Sequence, residues 1–224
     1  VEFVERGWSI KELHRLMMNS RAYRQSGDSS EAKRLRDPQN RLLSRMALRR
    51  MDAEALRDSL LSVSGRLDPT PGGPPDGVTI DRDGQVVAKP SAEGGWRRSL
   101  YVRYRRTEIP TMMQTFDYPE MGPNCVTRSV STVSPQGLLL LNNERVRHLA
   151  EALARRVEAA AEKPGDRIEF LYRVALTRDP SPEEKRLGVE ALSRLQQSWG
   201  GDGSRALDTY CHVILNSAGF IYVD

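Results

Sequence analysis

Two carboxylates three residues apart, Asp117 and Glu120, stand in a stretch that also carries Met112, Met113, Phe116 and Tyr118. A carboxylate pair beside an aromatic surface is the equipment for general acid and base work on a glycosidic bond, provided the fold sets the distance between them. Spacing along a loop sets no such distance, so no catalytic residue is assigned from it.

Arginine is the second resource. RSLYVRYRRT, residues 98 to 107, contains Arg103, Arg105 and Arg106 among tyrosines, and Arg128 follows. Planar guanidinium groups fork onto carboxylate or sulfate, and aromatic rings stack on sugars, so these four arginines, with Asp117 and Glu120, form the candidate ligand-binding site, for an anionic polysaccharide. The structural alternative is that they solvate a strand face or pair with Asp117 and Glu120. Arg41, Arg45, Arg49, Arg50 and Arg57 are different, because Asp37, Asp52, Glu54 and Asp58 lie among them and ion pairing accounts for the mixture.

Metal and redox chemistry have little to work with. The chain holds three histidines and two cysteines, and no histidine pair has zinc spacing. Phosphate-loop, dinucleotide and nucleophile-elbow patterns are missing, and no cysteine pair precedes a histidine as haem attachment requires. This domain is therefore expected to hold neither cofactor nor metal. Asp81 and Asp83 hint at a calcium loop, but Ala92 stands where its closing glutamate belongs. His14 reads as a packed histidine beside Leu13 and Met17. Cys125 and Cys211 are candidates for a disulfide in an oxidising compartment, although Cys211 on an apolar helical stripe also suits a free thiol.

The elements that must position these groups come next. Apolar residues make up 38% of the 224 and charged residues 29%, the balance of a soluble globular protein able to bury a sizeable core. The formal net charge of +4 is a weak field, so no nucleic-acid partner is expected. No run is long enough to span a membrane, and the opening lacks the pattern of a signal peptide. A chain beginning at Val1 suggests a piece of something longer.

The organising stretch is Pro123 to Arg156. Ser134 as N-cap and Pro135 at the first position predict one long helix to about Glu158, striped by Leu138, Asn142, Val146, Leu149, Leu153 and Val157. The apolar run from Leu138 to Leu141 predicts that other elements surround its start. Ser9 with Glu12 caps a helix whose face carries Ile10, Leu13 and Met17. Residues 25 to 36 read as a loop, Asp37-Pro38 opens a short helix through Leu42, Leu43 and Met46, and Asp52 caps another through Leu56 and Leu60. Prolines and glycines from 67 to 95 forbid regular structure around a small hairpin with Asp83-Gly84 in its turn. Residues 98 to 107 alternate as a half-buried strand, and 110 to 123 read as a loop. Further helices start at Gly165-Asp166 and at the capping box Ser181 to Glu184, and a last one carries Leu207, Tyr210, Cys211 and Ile214.

In order and spacing, NRLLSRMALRRMDAEALRDSLLSVSGRLD, GGPP, RSLYVRYRRT, CVTRSVSTVSPQGLLLLNNERV and CHVILNSAGFIYVD, with the opening WSIKELHRLMMNSRAYRQS, resemble the C-terminal domain of large secreted planctomycete proteins, domain of unknown function 1553. The resemblance implies an exported, periplasmic or extracellular setting, neighbouring domains in the same chain, and haem c elsewhere in the full-length protein. It supplies no catalytic residues. Members often end with an asparagine-glutamate pair before the final phenylalanine, whereas Ala218-Gly219 precede Phe220 here.

The expected fold is mainly α, a multi-helix orthogonal bundle of six or seven helices with a small β element, a hairpin or short sheet, and long irregular loops. A single domain is expected, helical over 1–66, loop and strand over 67–133, and helical again over 134–224. Its expected function is that of a non-catalytic binding or scaffolding module. An electron-transfer accessory to a cytochrome-c-like domain and a glycan-acting enzyme domain are the alternatives.

Overall fold

A computed structural model describes the whole chain apart from Glu93, Glu120, Met121, Pro123, Asn124, Val126 and Asp224. The protein is mainly α with a small β element, as expected, with eleven helices among the described residues. The chain divides into two units, Val1–Arg49 with Tyr222–Asp224, and Arg50–Ile221.

In the first unit lie α1 (Glu2–Glu5), α2 (Ile10–Met18) and α3 (Glu31–Arg36), none of which buries a residue. Ser9 caps α2 as expected, its hydroxyl accepting the Glu12 N–H, yet the predicted inward face is open: Ile10, Met17 and His14 are all exposed. Two expectations fail here. The stretch read as a loop contains α3, which Ser30 caps by accepting from the Lys33 N–H. The helix expected after Asp37 is absent, because the Asp37 carboxylate accepts the backbone N–H groups of Arg41 and Leu42 and so holds the chain in turns, with Asn40 and Leu43 at positive φ.

The second unit contains α4 (Ala53–Val63), α5 (Thr111–Thr115), α6 (Ser134–Asn142), α7 (Glu144–Ala160), α8 (Pro164–Leu176), α9 (Pro182–Ser198), α10 (Gly203–Leu215) and α11 (Ala218–Ile221). Its core joins Leu56 and Leu60 of α4, Met113 and Phe116 at α5, Val146, Leu153 and Val157 of α7, Ile168 and Leu171 of α8, and Leu207, Cys211 and Leu215 of α10. Helix α10 packs on α7 and α9, and α9 on α8. Both contacts of α9 are close because its Gly188 has no side chain: a Cβ there would meet the hydroxyl of Tyr210 on α10 at 2.8 Å and Cδ1 of Ile168 on α8 at 2.9 Å.

The long helix predicted from Ser134 is two helices. Asn143 adopts an extended conformation (φ −69°, ψ 122°), and its carboxamide oxygen accepts the N–H groups of Arg145 and Val146, which starts α7 and ends α6. Val133 rather than Ser134 occupies the cap position of α6. The expectation that α6 is surrounded also fails. Leu140 is 1% exposed, but Leu138 and Leu141 are 56% and 50% exposed.

Between α4 and α5 the chain is irregular but tied down. Val78–Ile80 and Val86–Ala88 form the predicted antiparallel hairpin, with Gly84 at φ +78° in the turn and the Asp81 carboxylate accepting from the Asp83 and Gln85 N–H groups. Leu67–Asp68 and Trp96–Arg97 pair in parallel. The proline and glycine segment is gathered by the buried Arg97, which donates to Asp76 Oδ1 at 2.7 Å and to the carbonyls of Gly72 and Pro74, each at 2.6 Å. The strand expected over 98 to 107 is missing. Asp58 of α4 accepts both the N–H and the hydroxyl of Ser99 at 2.7 Å, pulling Ser99–Tyr101 into a 3-10 turn that leaves Leu100 exposed. Only Val102 keeps a bridge, to Asp76.

Candidate binding trough between α4, α7 and the hairpin

Helices α4 and α7 run side by side in one direction. Near their starts, Arg145 is close enough for its charge to disfavour that of Arg57. At their far ends Arg156 of α7 donates to the Ser62 carbonyl at 3.1 Å, and also to that of Val63, and its Cδ lies 3.1 Å from where a Cβ would stand on Gly65, which turns the chain at φ +71°. The hairpin crosses over this pair and is clasped to the start of α7: Arg82 Nη2 donates to Glu144 Oε2 at 2.9 Å, and Asn143 Nδ2 to Gln85 Oε1 at 2.7 Å. Thr111 Oγ1 holds the hairpin backbone from the other side by accepting the Val86 N–H at 2.9 Å.

Enclosed by these elements is a cavity of about 630 Å³, within the range of ligand pockets. Its apolar lining includes Leu60, Val86, Met112, Val146, Leu149 and Trp96. The Trp96 indole N–H is buried with no hydrogen-bond partner, a cost the structure carries unless something in the cavity accepts it. Arginine rims the cavity at both ends, Arg57, Arg82 and Arg145 at the start of α7 and Arg66 and Arg155 at the other.

The state of these cations matters more than their number. Arg57 is held, donating to the Arg97 carbonyl at 3.0 Å and Ser99 Oγ at 3.2 Å. Burial pushes its guanidinium below the ordinary value, Asp58, Tyr104 and Asp76 act the other way, and Arg145 adds to the lowering. Arg82 is paired with Glu144. By contrast, the guanidinium groups of Arg66, Arg145 and Arg155 form no hydrogen bond or ion pair among the described residues. Arg145 is also the second residue of a 17-residue helix, where the dipole disfavours a cation.

The residues singled out in the sequence fall elsewhere and do not converge. Arg103 and Arg105 both face Glu108, at 3.7 and 3.8 Å, Arg106 is exposed, and Arg128 forks onto Glu54 with two hydrogen bonds of 2.8 Å. Asp117 is structural in its contacts: at φ +64° it accepts from Arg50 Nη2 at 2.5 Å and from the Ser131 N–H and hydroxyl at 2.8 and 2.7 Å. Burial alone would raise its carboxyl, but the Ser131 hydrogen bonds, with Arg50 and Gln136, hold it below the ordinary value. Glu120 lies outside the described residues. Cys125 is exposed and Cys211 buried, and both thiols are free. Burial pushes the Cys211 thiol up, leaving it an inert apolar filler. Among the described residues no group of three or more His, Cys, Asp or Glu could hold a metal, and no helix is long and apolar enough to cross a membrane.

Sequence reasoning missed Arg66, Trp96, Arg145 and Arg155. One signal was present for Arg145: the positions three and four away on either side are Leu141, Asn142, His148 and Leu149, none of them acidic.

Fold and site thus define a mainly helical domain with a clasped hairpin over an arginine-rimmed trough. Residues 1–192 match the family model described as PSD1, protein of unknown function (DUF1553), and the chain belongs to that family. No curated protein and no solved structure matches it.

Proposed function

We propose that this domain is a non-catalytic binding module for an acidic ligand with an apolar, ring-like body, and that the trough is its site. The observation that carries this reading is Arg145: half-buried, without a hydrogen bond or ion pair among the described residues, lining the cavity at the end of a helix whose dipole disfavours a cation, and within electrostatic reach of Arg57. Arg66 and Arg155 repeat the unpaired state, and the apolar lining with the unpartnered Trp96 N–H suits a ring. Against the enzyme alternative, every contact of Asp117 stabilises its charged form, which leaves it without the proton a general acid needs. An exported multidomain setting, as the resemblance implies, is where such a module would meet polysaccharide.

Calorimetric titration of the whole chain with polygalacturonate at low salt tests this. Arg145→Ala with Arg155→Ala is expected to weaken binding about tenfold or more, since each charge-assisted contact is worth roughly 1.5 to 3 kcal/mol. Arg103→Ala with Arg105→Ala, whose charges already face Glu108, is expected to change it little. The opposite ranking returns the site to the arginines after the 3-10 turn, and no binding by the parent chain ends the reading.

A further inference from the structure

The trough has two charged ends, and their separation can be read from α7. Arg145 and Arg155 are ten residues apart on α7, which at about 1.5 Å per residue is ~15 Å along the axis. On α4, Arg57 to the last helical residue, Val63, is six residues, ~9 Å, before Gly65 turns the chain at φ +71° into Arg66. Because the two helices run in the same direction, Arg57 and Arg145 stand beside the hairpin tip, and Arg66 and Arg155 line the other end with Trp96, whose backbone N–H donates to the Arg66 carbonyl at 3.0 Å. A single small anion can satisfy one end only: Arg57 already has the Asp58 carboxylate at 3.5 Å, so the guanidinium groups with no hydrogen bond or ion pair among the described residues are Arg145 at one end and Arg66 and Arg155 at the other.

We infer that the ligand is an acidic oligosaccharide that lies along the trough and is held at both ends, an inference that rests on the binding reading above. The class follows from what shares the lining with the arginines: Asp81 and Asp83 at the hairpin tip, and Glu151 between Arg145 and Arg155 on α7. Carboxylates so placed repel a nucleic acid, which carries a phosphate about every 3.4 Å along each strand. They accept hydrogen bonds from sugar hydroxyls, however, and the apolar lining takes the C–H faces of sugar rings. The required ligand therefore has sparse charge, many hydroxyls and more than one ring, its charges carried by carboxylate or sulfate.

The test is length dependence. Galacturonic acid and its linear oligomers from dimer to hexamer, and size-matched chondroitin sulfate oligomers, are titrated calorimetrically into the whole chain. In the series that carries the right charged group, affinity is expected to climb at least about tenfold once the oligomer reaches both ends, as the second contact becomes intramolecular, and then to level off. Arg145→Ala and Arg155→Ala, each shown by thermal unfolding to be folded, should both reduce hexamer binding to about that of the shorter oligomers and abolish the length dependence. Equal affinity for monomer and hexamer, or an Arg155→Ala variant that binds hexamer as the parent does, overturns two-ended binding while leaving the trough as a site for a small acid. Tighter binding of a size-matched oligodeoxythymidylate overturns the sugar class. Failure of every probe at low salt removes the binding reading itself.

Discussion

Arginine plays opposite parts on two faces of α4. On the face carrying Glu54 and Asp58, guanidinium groups are neutralised: Arg128 forks onto Glu54, and Arg98 reaches Asp58 at 3.3 Å. On the face carrying Arg57 and Leu60, Arg66, Arg145 and Arg155 line a cavity with no hydrogen bond or close ion pair among the described residues, although Asp208 lies within electrostatic reach of Arg155. Arg57 is bound at its head to the loop that the first face organises, and it also lines the cavity of the second. Paired arginine is thus a tool for folding a loop that has almost no core of its own. Unpaired arginine adds no ion pair to the fold, and at the half-buried Arg145 the helix dipole also opposes the charge.

The difference should be largest where a paired arginine is most buried. Arg50 is 3% exposed at its side chain, with two of its three nitrogens unpartnered, so Asp117 is its one counter-charge among the described residues. Asp117→Asn keeps a residue tolerant of the positive φ while removing the charge, and it should cost about 3 to 5 kcal/mol in denaturant unfolding. The pH dependence has a definite sign. A carboxyl held below its ordinary value of about 3.9 stabilises at neutral pH, and that contribution is lost as pH falls below about 4 through the folded-state value. The gap between parent and variant should therefore shrink on acidification. A constant gap down to pH 2 would show that the charge is not what is lost.

Helix α6 offers a second contrast, between neighbours of the same type. Leu140→Ala should cost about 2 to 5 kcal/mol and Leu141→Ala under about 1, because only the first empties a packed site. Equal costs would mean that the exposed side of α6 is covered in solution.

These two leucines also show what could be read in the sequence. An apolar run of four predicts burial all round, and no pattern within it says which residue faces the core. Where period and caps agreed, as in α8, α9, α10 and the hairpin, the elements form as expected. Where a side chain competed with the backbone the reading failed: Asp37 captures N–H groups and prevents a helix, Asn143 splits one, and Asp58 folds Ser99 out of an apparent strand. Each contact is formed by a polar side chain, which hydrophobic periodicity ignores. The site was hidden for a related reason. Arg57, Trp96 and Arg145 are far apart in sequence, and only the parallel course of α4 and α7 brings them to one cavity.

On the paired face the cost of losing an arginine should be small but real. Arg128→Ala leaves Glu54 partly exposed, so a loss of about 0.2 to 1 kcal/mol is expected, shrinking in high salt. A loss above about 2 kcal/mol would mean that this pair holds more of the fold than its exposure suggests.

The smallest stability effect belongs to the trough, and it separates the two faces most sharply. Arg145→Ala removes a cation from the second position of α7, where the dipole opposes it, and relieves a repulsion that adds to the lowering of the Arg57 guanidinium by burial. Alanine is also the better helix former. Against this stands the lost packing of the arginine stem on the apolar lining. The balance should be within about 0.5 kcal/mol of zero, on the stabilising side at low salt and approaching neutral as salt screens the Arg57 contact. Thermal unfolding of parent and variant across a salt series checks this. A destabilisation near that of Arg128→Ala would place Arg145 with the structural arginines, and the contrast between the two faces of α4 would no longer distinguish a ligand site.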